Sequence, residues 1–125
     1  VYTDPYQYFG MLSMEMHRAI RLVVDTGLHA KGWSREEAIQ YSLDNEAESK
    51  ESIIAEIERY MATPGQALSY KLGQLKIREL RTKAEKILGT NFNIREFHSQ
   101  ILNSGSLPLV LLEEKLDSWI VSQSK

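Results

Sequence analysis

Cysteine is absent from the 125 residues, which excludes a disulfide framework and a thiolate zinc site and leaves the redox compartment open. An excess of one charge is also missing. Lys and Arg number 15 against 17 Asp and Glu, a formal charge of −2, whereas a dedicated nucleic-acid binder carries a strong basic surplus. No apolar run approaches the ~18 residues needed to cross a bilayer, so no membrane span is expected. His17, His29 and His98 are the only histidines and lie on three separate segments. There is no HExxH, no histidine pair at helical spacing, no glycine-rich phosphate loop and no Gly-x-Ser-x-Gly. A self-contained catalytic engine and a zinc site are therefore not expected within this chain. It opens on Val1 without a signal-peptide pattern, and is expected to be a piece of something longer.

What the chain does have is helix punctuation, with 42% hydrophobic residues to supply a modest core. Asp4-Pro5-Tyr6-Gln7 reads as an N-cap, a proline at the first helical position and a glutamine closing the capping box. The spacing predicts a helix from there to Gly27 as a left-handed stop, with Leu28 folding back on Val23. At 1.5 Å per residue its ~22 residues would span roughly 33 Å. Ser34-Arg35-Glu36-Glu37 opens a short second helix to about Leu43. Asn45-Glu46-Ala47-Glu48 opens a third to about Ala62, with Ile53, Ile54, Ile57 and Met61 as its stripe. Thr63-Pro64-Gly65-Gln66 repeats the opening pattern for a fourth, which runs to Leu88 and stops at Gly89. Asn93 caps a fifth with Phe92 and Phe97 as a hydrophobic staple. Pro108 begins a sixth, marked by Leu109, Leu112, Leu116, Trp119 and Ile120. Strand alternation, internal repeats and low-complexity linkers are not found. The expectation is all-α, with about six helices in a single helical domain.

Charge is unevenly spread along this frame. Residues 33–58 hold eight acids against two bases, and residues 59–86 hold seven bases against two acids. Lys71, Lys76, Arg78, Arg81, Lys83 and Lys86 read either as a polyanion-binding helix or as a solvated face that complements the acidic helix before it. No aromatic residues interleave with the bases as single-strand binding would want, so no nucleic-acid partner is expected.

Two segments could carry chemistry. Asp25 sits near the end of the first predicted helix, where the macrodipole disfavours a carboxylate by a few tenths of a kcal/mol or more. Glu15, Arg18, Arg21 and Asp25 would form a ladder along one side. That ladder is either exposed, each pair worth only ~0.3–0.5 kcal/mol, or a partly buried network that positions His29. The other segment runs from Arg59 and Tyr60 to Tyr70. Gly65 falls in the first turn of the fourth predicted helix, at a propensity cost of roughly 1 kcal/mol relative to alanine, as if another backbone or a ligand approached closely. The unbonded N–H groups of that turn, with Gln66 and Tyr70 four residues apart, are placed to receive a developing oxyanion. The plainer reading is a tight helix–helix corner with a tyrosine in the core. The stripe Leu12, Met16, Ala19, Ile20 and Val23 would lie uncovered on a fragment, so self-association, as a homo-oligomer such as a dimer, is expected of the chain alone.

Several blocks taken together resemble the C-terminal part of the DUF885 proteins. They are Tyr2 to Tyr6, the RLVVDTGLH run ending at His29, Gly32-Trp33-Ser34-Arg35-Glu36-Glu37-Ala38 and Glu56-Ile57-Glu58-Arg59-Tyr60. Pro64-Gly65-Gln66-Ala67-Leu68-Ser69-Tyr70-Lys71, Phe97-His98 and Gly105-Ser106-Leu107-Pro108-Leu109 continue the likeness over nearly the whole chain. That family resembles mostly helical zinc peptidases akin to the thimet-oligopeptidase and angiotensin-converting-enzyme groups. The resemblance implies a parent zinc metallopeptidase, a hydrolase, whose HExxxGHH-like and EGWALY-like helices lie upstream of this chain. Zinc would then belong to the full-length protein and no cofactor to this chain, which alone is expected to be inactive. The implied partners are the missing N-terminal part and a peptide substrate, in bacterial cytoplasm or periplasm.

By the same resemblance Tyr70, with His29, would stabilise the tetrahedral intermediate. Arg59 and Gln66, again with His29, would contact the oxyanion or a substrate carboxylate, Tyr60 would touch substrate, and Arg21, Asp25 and Arg18 would support them. His17 departs from the family, which often has a large hydrophobic residue there. The competing expectation is a non-catalytic helical binding or scaffolding module whose polar blocks are structural.

Overall fold

Side-chain caps start four of the six helices. In a computed structural model that describes residues 2–124, Asp4 accepts the Tyr6 N–H at 2.9 Å and Pro5 opens α1, Pro5–Ala30. Ser34 and Glu37 close a reciprocal capping box on α2, Arg35–Asn45. Ser49 caps α3, Lys50–Ala62, through the Ser52 N–H. The expected start at Asn45 is not used, because α2 runs on through that residue and Glu46 is already extended. A 3-10 turn, Gln66–Leu68, leads into α4, Ser69–Leu88, and a second turn follows at Gly89–Asn91. Asn93 then caps α5, Ile94–Leu102, and Pro108 precedes α6, Leu109–Gln123. The described residues hold these six helices and no strand, the all-α fold expected. No helix among them is long and apolar enough to cross a membrane.

Two glycines act differently from expectation. α1 passes through Gly27 and ends at Ala30, and the left-handed residue beyond it is Gly32. Gly27 is a contact point, since a Cβ there would lie 2.4 Å from the Trp33 indole. Asp25 is thereby moved out of the last turn. Gly65 stands before the fourth helix rather than in it, at φ 80° with nothing within 4 Å of a would-be Cβ. Left-handed backbone, not close approach, requires glycine there.

The chain divides into two compact units, Val1–Leu72 and Gly73–Lys125. In the first, Ile20 and Val24 of α1, Ala38 and Ile39 of α2, Ile53, Ile57 and Tyr60 of α3, and Ala67 of the turn form one buried cluster. Trp33 and Tyr41 flank it with ring centroids 5.4 Å apart. Ile20 of the expected uncovered stripe is part of this core, while Leu12, Met16 and Val23 remain exposed. Met61, expected on the buried stripe of α3, is exposed, and Tyr60 takes that place.

In the second unit, Leu80, Ala84 and Leu88 of α4, Phe97 of α5, and Leu112, Leu116, Trp119 and Ile120 of α6 form a separate cluster. Phe92 and Phe97 meet at 6.0 Å as the staple requires, while Leu109 is exposed. The basic run finds its complement in α6 rather than in the acidic helices before it: Lys76 reaches Glu113 at 3.3 Å and Lys83 reaches Asp117 at 2.6 Å. Lys71, in the first unit, pairs with Glu15 at 2.8 Å. Such partly exposed pairs are worth ~1 kcal/mol or less each.

Candidate functional site

The end of the first unit gathers polar side chains from three helices and a turn. Arg21 and Asp25 are one turn apart on the buried side of α1, only 7% and 2% exposed. α3 presents Glu56, Arg59 and Tyr60 at i, i+3 and i+4, which brings all three to one face. The 3-10 turn adds Gly65 and Gln66, and α4 adds Tyr70.

Asp25 anchors the turn. Both of its carboxylate oxygens accept the Gly65 N–H, each at 3.1 Å. The expected ladder along α1 is thus redirected, and Asp25 finds its partner 40 residues on rather than at Arg21. Arg21 donates from Nη2 to Gln66 Oε1 at 3.1 Å, and Arg59 donates from Nη1 to the same oxygen at 3.2 Å. Tyr60, 2% exposed, lies beneath both guanidinium groups, at 5.2 Å from Arg21 and 4.9 Å from Arg59. The Tyr70 ring covers Arg21 at 4.6 Å and also meets Arg18 at 5.7 Å. Arg18 itself donates to the Met14 carbonyl. The Tyr70 side of this stack is open, with the residue 48% exposed.

Glu56 ties the arrangement together. Its carboxylate takes a two-pronged bond from Arg59 Nε and Nη2, at 3.1 and 2.6 Å, and accepts the Tyr60 hydroxyl at 2.7 Å. The Arg59 bonds, helped by the Tyr60 hydroxyl, pull the Glu56 pKa down from 4.5 to about 2. Burial, with the Glu56 bond second, pushes the Tyr60 phenol up. A carboxylate depressed in the folded state stabilises fully above its unfolded pKa and loses that contribution as pH falls through the folded one. Glu56 should therefore add stability that is complete above about pH 4.5 and disappears towards pH 2. In acid titrations followed by circular dichroism, Glu56→Gln should flatten the profile in that window. Superimposable profiles for the two proteins would show that this carboxylate is not coupled to folding.

The structure brings Arg18, Arg21, Asp25, Arg59, Tyr60, Gln66 and Tyr70 into one connected cluster. His29 joins at its edge, its Nε2 donating to the Tyr60 carbonyl at 3.0 Å, so it meets the main chain of the site. Three N–H groups of the turn that were expected to receive an oxyanion are already engaged. The Gly65 N–H is held by Asp25, the Gln66 N–H by the Thr63 carbonyl and the Leu68 N–H by the Gly65 carbonyl. Glu56 was not singled out from the sequence, although its spacing to Arg59 and Tyr60 was the available signal. His17 lies elsewhere, with Nδ1 2.7 Å from Glu46 Oε2, and His98 packs on Phe97. Among the described residues no three His, Cys, Asp or Glu side chains are grouped to hold a metal ion. The described residues by themselves therefore offer no grouped donor set of the kind zinc takes.

An all-α chain with a stacked arginine–tyrosine cluster and, among its described residues, no grouped metal ligands is the class these features define. The chain belongs to the family described as bacterial proteins of unknown function, DUF885, whose model matches residues 1–116. It is also similar to the crystal structure of a provisionally named lipoprotein from Colwellia psychrerythraea, at 48% identity and a TM-score of 0.93. That match covers 95% of this chain and 20% of the other, so the chain spans about a fifth of that protein's length. No curated protein matches the chain.

Proposed function

We propose that this chain is the C-terminal part of a zinc-dependent peptidase and forms one wall of its substrate cleft. The metal would be held by residues encoded upstream. In this reading Tyr70 donates its hydroxyl to the oxyanion of the tetrahedral intermediate, while Arg59 and Gln66 contact the substrate. Arg21, Arg18 and Asp25 hold those groups in place, and His29 braces the end of α3 through the Tyr60 carbonyl.

The observation that carries the reading is the placement of Tyr70, half-exposed yet clamped by two guanidinium groups at 4.6 and 5.7 Å. Cation–π contacts of ~0.5–2 kcal/mol each restrict the ring. An oxyanion donor is effective only when it is oriented before the charge develops. The similar protein is about five times as long as this chain, which leaves ample sequence for the metal-binding part.

The test is Tyr70→Phe in the full-length protein, assayed for peptide hydrolysis with and without zinc. Loss of one oxyanion donor should lower kcat by about a hundredfold, with KM and Tm nearly unchanged. A kcat within twofold of wild type would remove Tyr70 from the mechanism. No zinc-dependent hydrolysis by the wild-type parent would favour the alternative, a non-catalytic helical binding module.

A further inference from the structure

Arg59 and Arg21 offer the same fork of donors, and the two forks are filled differently. The Arg59 Nε and Nη2 groups hold both oxygens of Glu56, the side-on pairing that matches a guanidinium to a carboxylate. Arg21 places only Nη2, on the single amide oxygen of Gln66. Its Nε is buried and has no hydrogen-bond partner. The same Gln66 oxygen also accepts Arg59 Nη1. A neutral amide oxygen thus serves two cationic groups and leaves one buried N–H unused, an arrangement that is costly without further compensation. Asp25 does not fill the gap, since both of its oxygens are directed to the Gly65 N–H. Gln66 is exposed and sits on a turn whose backbone is separately held by Asp25 and Thr63, so its side chain can leave without loss of the turn.

We propose that Arg21 and Arg59 form a carboxylate-binding site in which the Gln66 amide is the resting occupant. An incoming carboxylate displaces it, takes Nε and Nη2 of Arg21 with its two oxygens and receives Arg59 Nη1 as well. Tyr60 and Tyr70 hold the Arg21 plane in position by stacking on it. The carboxylate is assigned to the C-terminus of a peptide, and that assignment rests on the peptidase reading above.

The test is binding by the full chain, read by calorimetry and by the amide resonances of Gly65 and Gln66. The probes are acetyl-Ala-Ala with a free C-terminus, the same peptide amidated, and an amidated acetyl-Ala-Glu. The free acid should bind saturably and shift both resonances, and amidation should weaken binding at least tenfold. Arg59→Gln, at an exposed position, should weaken the free acid by a similar factor. Gln66→Glu supplies an internal carboxylate, so it should raise Tm and abolish binding of the free acid. Equal affinity for acid and amide, absence of saturation, or unchanged affinity in Gln66→Glu would overturn the site. Preference for the amidated glutamyl peptide over the free acid would overturn the chain-end assignment. Because binding is read without hydrolysis, a parent with no peptidase activity would defeat the earlier proposal while saturable carboxylate binding upheld this one.

Discussion

Asp25→Ala is expected to lower the unfolding free energy of the first unit by about 3 kcal/mol. Two costs combine. The Gly65 N–H loses the Asp25 carboxylate as acceptor in a part-buried position, and an unsatisfied buried donor costs ~1–3 kcal/mol. Arg21, 7% exposed and one turn away on the same helix, also loses the buried carboxylate nearest to it in sequence, and uncompensated buried charge is costly. The variant also frees the turn that places Gln66 and the start of α4, so the effect should extend to Gly65 amide exchange. Asp25→Asn keeps one acceptor oxygen and should recover roughly half of the loss. Urea unfolding of the three proteins measures this; a change below 1 kcal/mol for the alanine variant would show that the turn is held by other contacts.

Gly27→Val should be comparably damaging, at about 3 kcal/mol. Two effects oppose each other at this position. In a helix interior glycine is ~1 kcal/mol worse than alanine, so any side chain gains some helix stability. Against that, the first carbon added would stand 2.4 Å from Trp33 Cδ2 and Cε3, far inside the ~3.5–4.0 Å carbon–carbon optimum. The indole is a rigid ring packed against the core, so it cannot yield by a rotamer change at its tip. Overpacking costs ~1–3 kcal/mol or more and outweighs the propensity gain. Gly27→Ala should therefore also destabilise, by less. The cycle with Trp33→Leu decides the cause: the Gly27→Ala penalty should vanish or reverse once the indole is gone. A penalty that persists unchanged in the Trp33→Leu background would rule out the ring contact.

Helix beginnings were legible because their chemistry is local. Asp4, Ser34 and Asn93 reach N–H groups two or three residues away, a span that a sequence displays directly. The same locality misled at Asn45 and Gly27. Asn45 has cap chemistry but lies inside α2, and the residue that caps α3 is Ser49, four positions later. Gly27 looks like a stop because glycine commonly ends helices, whereas here Trp33 requires the bare backbone. The members of the candidate cluster were named from two sequence blocks, and the structure joins those blocks. Their wiring was not visible in advance: Asp25 to Gly65 crosses 40 residues and Arg21 to Gln66 crosses 45.

Periodicity and capping are properties of neighbours in the chain, and they suffice to set how many helices form, roughly where they begin and which side chains can share a face. Whether a charged group ends in water or under two aromatic rings depends on which distant segment packs against it. In the sequence Arg21 is one rung of a ladder that fits an exposed or a partly buried face equally, until α3 and the turn close over it. Burial then replaces a weak, screened ion pair with stacked rings and a half-filled fork.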